Sequence, residues 1–159
     1  LEKYNNLTKP VVLNKQLTQL NTVLSKTISM LQEKISSKKV SIVTGFDINL
    51  PEINLDQQKI ETFFYELITN ILNFILENGT IKINTYYEIR DKLVVVDIFY
   101  QGTNIFRKDI IEQGDVTKVD KNDTELFFLK TQQIIVLHNG SIIFKDDNDN
   151  VNIIVKLPI

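Results

Sequence analysis

The stretch DQQKIETFFYELITNILNFILENG, residues 56–79, decides how this chain folds. Ile60, Phe63, Phe64, Leu67, Ile68, Ile71, Leu72 and Ile75 recur at helical steps and give one broad apolar face. Asp56 stands where a side-chain oxygen can accept from the free N–H groups of the first turn, and the pattern runs on towards Asn78-Gly79. Glu66, Asn70, Asn73 and Glu77 are spaced by four, three and four residues, so they share a polar stripe opposite the phenylalanines. A helix with one face this apolar must cover a sheet or another helix.

Working outward, residues 1–10 read as a connector closed by Pro10, and Val11 to Leu13 as a short extended stretch. Asn14 is the expected cap of a first helix, whose Leu17, Leu20, Leu24, Ile28, Leu31 and Ile35 form a single stripe. Val40 to Ile48 is expected as a strand ended by Pro51. After Gly79, Thr80 to Ile89 and Leu93 to Tyr100 alternate apolar with polar residues around Arg90-Asp91-Lys92, the pattern of a hairpin. Gln101 to Asp123 is polar and without period, a long loop with a helical turn near Arg107 to Glu112. Glu125 to His138 is the last helix, stopped by Asn139-Gly140, and Ser141 to Phe144 pairs with Asn152 to Leu157 across Asp146 to Asn150. The expected fold class is α+β, a two-layer α/β sandwich with a mixed, mostly antiparallel sheet and its helices on one face. One domain, residues 11–159, is expected after the connector.

Composition narrows the function. Eighteen basic against 20 acidic residues give a net charge of −2 with no long block of either sign, which argues against a nucleic-acid or anionic-membrane binder. No apolar run approaches the roughly 20 residues that span a bilayer. Without cysteine there are no disulfides or thiolate metal sites, and a cytoplasmic location is expected, including as the cytoplasmic part of a membrane-anchored sensor. The chain starts at Leu1 rather than Met, so a longer protein is expected around it.

The order of elements and five local words together resemble the catalytic and ATP-binding domain of bacterial sensor histidine kinases, the Bergerat ATPase fold. Lys9 to Asn14 is similar to the Pro-Val-Asp-Leu opening of those domains, and Asn49-Leu50-Pro51 with Leu55-Asp56-Gln57 to their lead into the nucleotide-binding helix. Glu66 to Phe74 resembles their asparagine box, Leu137 to Ile142 their His-Gly-Gly-x-Ile corner, and Val155 to Pro158 their closing strand. The resemblance implies Mg-ATP as cofactor, with Asn70 giving its amide oxygen to Mg²⁺ and Glu66 binding metal or orienting water as the catalytic candidate. It further implies Asn73, Tyr100, Gly102, Asn104 and Thr124 at nucleotide-binding positions. Implied partners are an upstream dimerising helical hairpin that carries the phosphorylated histidine, with a homodimer formed through it, and a response regulator receiver domain.

Departures from the family pattern fall on the nucleotide. Where the family has Asp-x-Gly-x-Gly, this chain has Tyr100-Gln101-Gly102-Thr103-Asn104, so a phenol replaces the carboxylate that accepts from the adenine amino group. A phenol is larger and neutral near pH 7, since it ordinarily titrates near ~10. Tyr100 is expected to fill the adenine pocket, and Asp97 lies on the other face of the strand, three residues away. Asn73 stands where lysine or arginine is common. The second glycine box falls on Asp123 to Phe128, which has no glycine and carries Asp123 and Glu125 where phosphates would meet a helix N-terminus. His138, the only histidine, is expected to be structural, a cation complementing the last helix's dipole. The expected function is a degenerate histidine-kinase-type domain with weak or no ATP binding, acting as scaffold or docking domain. The alternative is an active protein histidine kinase domain.

Overall fold

The computed structural model of the chain describes residues 12–102 and 123–159. Its elements are β1 (Gln16–Thr18), α1 (Leu20–Met30), α2 (Gln32–Ser37), β2 (Ser41–Gly45), β3 (Ile53–Leu55), α3 (Gln57–Phe74), β4 (Thr80–Glu88), β5 (Leu93–Gln101), α4 (Asp123–Leu137), β6 (Ser141–Asp147) and β7 (Asn150–Pro158). The main sheet has the order β2-β4-β5-β7-β6, with β2 parallel to β4 and the other pairs antiparallel. β1 and β3 form a separate two-stranded antiparallel ribbon. This is the α+β sandwich expected.

Strand alternation turns Ile81 and Ile83 of β4, Val94, Val96, Ile98 and Tyr100 of β5, and Val151, Ile153, Val155 and Leu157 of β7 inward. They form one core with Phe63, Phe64, Leu67, Ile68, Ile71 and Leu72 of α3 and Leu20, Val23 and Leu24 of α1. Phe63 and Phe64 meet edge to face, with ring centroids 4.8 Å apart. The opposite face carries Lys82, Asn84 and Asp97. Among the described residues no helix is long and apolar enough to cross a membrane.

Several local expectations yield to tertiary pairing. Asn14 does not cap a helix; residues 16–18 pair instead with β3, Leu17 is 71% exposed, and α1 starts at Leu20 with Gln19 as its cap. Val11 lies outside the described residues, and Leu13 is not in a strand. The single stripe expected from Leu17 to Ile35 is broken at Leu31, four residues after the Thr27 hydroxyl bonds back to the Val23 carbonyl at 2.8 Å. Such back-bonds compete with the helical ladder and bend it. The expected strand Val40 to Ile48 is shorter, Ser41–Gly45, because Asp47 N–H donates to the Thr85 hydroxyl at 3.0 Å and that hydroxyl donates to Asn21 at 2.7 Å. β3 after Pro51 was not expected; only its partner β1 makes it a strand. The last hairpin runs further than Phe144, to a two-residue turn at Asn148 and Asp149 with φ of 49° and 65°. These are the left-handed values of a type I′ turn, which asparagine and aspartate tolerate.

The Asp56 cap, by contrast, is as expected. Its carboxylate accepts from Lys59 N–H at 3.1 Å and from Asn14 N–H at 3.0 Å. Helix α3 ends at Phe74, before Asn78-Gly79, because Ile75 leaves it to bridge Gly102 and Leu76 N–H reaches the Gln101 carbonyl at 3.4 Å. A Cβ on Gly102 would stand 2.7 Å from the Phe74 carbonyl oxygen and 3.0 Å from Ile75 Cα, both main-chain atoms.

Two predictions follow from these joints. Gly102→Ala must push apart β5 and the end of α3, and chemical unfolding should show a loss of about 1–3 kcal/mol; an unchanged midpoint would mean the contact is loose. For Asp56, burial pushes the carboxyl's pKa up, but the N–H groups of Asn14 and Lys59 and the Lys59 charge outweigh it and hold it below the ordinary value. A lowered folded value stabilises fully above the unfolded pKa, near pH ~4, and that contribution is lost as pH falls through the folded one. Asp56→Asn, which keeps a capping oxygen but loses the charge, should therefore be less stable by about 0.3–1 kcal/mol at neutral pH, with the gap closing in urea melts repeated at about pH 3.

Candidate functional site

Packing of α3 on the sheet leaves its polar stripe outward. Glu66 and Asn73 are exposed and Asn70 half-buried on that stripe. The Asn70 amide nitrogen donates to the Glu66 carbonyl one turn back at 2.8 Å. Among the described residues no donor reaches its Oδ1. A neutral oxygen presented in this way, one turn from the Glu66 carboxylate, has the chemistry of a hard-cation ligand. Among the described residues no group of three or more His, Cys, Asp or Glu side chains could hold a metal ion.

Tyr100 lies at the far end of β5, opposite Ile81 of β4 and Val151 of β7. It is the largest fully buried side chain among the described residues, at 0% exposure, and belongs to the core. Asp97 is on the other face, as expected, where the Asn152 amide donates to its carboxylate and to the Ile98 carbonyl. Gly102, the glycine that survives, is buried against the backbone of Phe74 and Ile75, and its N–H donates to the Asp149 carbonyl at 2.8 Å. The close approach it permits is therefore between two parts of this chain. Asn104, the helical turn near Arg107 to Glu112, and the side chains of Asp123, Thr124 and Glu125 lie outside the described residues, as do residues 1–10; only the helical backbone from Asp123 is described.

His138 is structural in a different way from that expected. It is 5% exposed; Nδ1 bonds the Ile134 carbonyl at 2.8 Å and Nε2 bonds Asp56 N–H at 3.0 Å. A carbonyl partner requires a proton on Nδ1, and an N–H partner requires a lone pair on Nε2. The ring is thus the neutral tautomer, and it tethers the end of α4 to the start of α3 rather than supplying a cation to the helix dipole. Sequence reasoning did not pair His138 with Asp56, because 82 residues separate them.

Near this tether a concavity of about 800 Å³ opens between the first turns of α3, the segment before β1 and the C-terminal half of α4. Lys59 and Lys130 line it, whereas neither Glu66 nor Asn70 does. The spacing of Lys130, Gln133, Ile134 and Leu137 at three- and four-residue steps is a signal in the sequence that could have pointed to this face.

No family model matches the chain. Among curated proteins it is similar to the cell-division control histidine kinases PdhS of Brucella canis and Brucella abortus, 26% identical over 80 residues, which are 50% of this chain. The chain spans about 8% of the length of those relatives. Among solved structures, a nucleotide-free catalytic domain of the histidine kinase ThkA matches with TM-score 0.77 at 21% identity, over 92% of this chain and 98% of that one. ThkA has also been solved in complex with the response regulator protein TrrA, where the TM-score is 0.69 at 18% identity, over 99% of this chain and 45% of ThkA. Full-length ShkA in complex with AMPPNP matches with TM-score 0.79 at 13% identity, over 94% of this chain and 32% of ShkA. With its sheet order, its one-sided helices and an Asn70-bearing helix across the core, this chain has the fold of a histidine-kinase catalytic domain.

Proposed function

We propose that this is a degenerate histidine-kinase-type domain of a two-component signalling protein, one that binds Mg-ATP weakly or not at all. Its work on this reading is to position an upstream helical hairpin or to dock a receiver domain. The observation that carries it is Tyr100. In the family this resemblance points to, a carboxylate at that position accepts from adenine; here a fully buried phenol stands in the core. A buried ring of that size offers neither the carboxylate nor the space. Gly102 supports the same reading, since its bare face is taken up by the backbone of Phe74 and Ile75. ThkA, which shares the fold, has been solved with a response regulator, and that supports a receiver domain as partner.

A second reading, an active ATP-dependent protein histidine kinase domain, is favoured by Asn70. Its amide nitrogen is taken by the Glu66 carbonyl, which leaves Oδ1 without a hydrogen bond among the described residues, and that supports a metal-ligand role. ShkA, of the same fold, was solved with AMPPNP. In that case Asn70 and Glu66 would hold the cation, and the bound nucleotide would supply the phosphoryl group.

Calorimetric titration of the purified chain with Mg-ATP separates the two. No measurable heat up to about 1 mM, a Kd equivalent to ~4 kcal/mol, is expected; micromolar binding that Asn70→Ala removes would sink the degenerate reading in favour of the active one. Tyr100→Ala tests the filled core directly. It should cost about 3–5 kcal/mol in chemical unfolding, whereas a loss below about 1 kcal/mol would place the ring over an open pocket.

A further inference from the structure

The groove beside the His138 tether has its own chemistry, and it goes beyond the proposed function because it involves neither Asn70 nor Tyr100. Among the described residues that line it, the only carboxylate is Asp56, and both oxygens of that group accept main-chain N–H groups, from Asn14 and Lys59. The charge of Asp56 is thus met within the chain. The Lys59 charge acts on Asp56 from one wall, but among the described residues neither it nor Lys130, on the other wall, makes a close ion pair; the pairs there are Lys26 with Glu61 and Lys156 with Glu88. Thr62 and Gln133 add a hydroxyl and an amide at the rim, while half-buried Ile134 and Leu137 present apolar surface between them.

Two unpaired ammonium groups facing a strip of apolar surface select a ligand that brings both carboxylate and hydrocarbon. A small inorganic anion would leave Ile134 and Leu137 uncovered, and a purely apolar segment would bury two ammonium groups without partners, which is costly. At about 800 Å³ the groove is at the upper end of the range for small-ligand sites, with room for a short peptide segment. We infer that this groove docks an acidic peptide segment of a partner protein, with carboxylates on Lys59 and Lys130 and an apolar side chain on Ile134 and Leu137. Hydrogen bonds from Gln133 and Thr62 to the peptide backbone fix its register.

The test uses the full chain, ¹⁵N-labelled, titrated with an end-blocked octapeptide of alternating glutamate and leucine. Amide shifts should concentrate at residues 57–62 and 130–138, and K59E/K130E should weaken binding by about tenfold or more in a chain that keeps its folded amide spectrum. The same shifts with a lysine–leucine octapeptide would reduce the groove to an apolar surface and overturn the proposal. So would equal binding of inorganic pyrophosphate, which would make it an anion site, and so would shifts that fall elsewhere or are absent. If K59E/K130E proves unstable, Lys130→Gln alone, on the exposed face of α4, should still weaken the acidic peptide and not the basic one.

Discussion

The packing of α3 across β4, β5 and β7 is the constraint from which the other features follow. Seven buried residues along that helix, Ile60 to Leu72, leave it no freedom to rotate. Turning it to bury the polar stripe would place Glu66, Asn70 and Asn73 in a core that offers them no partners, and exposing Phe63 and Phe64 would forfeit roughly 1.5–3 kcal/mol each. The outward presentation of Asn70 is therefore a consequence of the core, independent of any ligand.

Both ends of α3 are tied by main-chain contacts to distant segments. At the start, Asp56 gathers Asn14, Lys59 and His138, so the segment before β1, the asparagine-bearing helix and the last helix meet at one residue. At the end, Ile75 bridges Gly102, bringing β5 directly against the helix terminus. Main-chain groups buried at such junctions must be paired. Pairing here is met by a neutral imidazole at one end and by a glycine's close approach at the other. Both residues have a structural task.

The same interior also shapes what the surface can recognise. Because both oxygens of Asp56 accept main-chain N–H groups, Lys59 and Lys130 are the charged groups left to the groove among its described lining residues. Because Tyr100 is used internally, the far end of β5 contributes a buried ring to the core rather than a phenol to the surface.

Periodicity in the sequence was enough to determine the sandwich, the helix 56–79 in outline, the hairpins and the stripe carrying Glu66, Asn70 and Asn73, because apolar spacing of two or of 3.6 is a local property. The Asp56 cap and the stop at Asn139-Gly140 were legible for the same reason, as were the opposite faces of Asp97 and Tyr100. Tertiary structure alone decided the ribbon of β1 with β3, since Asn14 and Leu17 carry a helical signal that strand pairing overrides. It alone decided the break at Leu31, the early end of α3 at Phe74 and the neutral state of His138, which depends on an N–H group 82 residues away. The physical reason is common to all of these. Each is set by a hydrogen bond or a close backbone contact between segments far apart in the chain, and such pairings leave no period to be read.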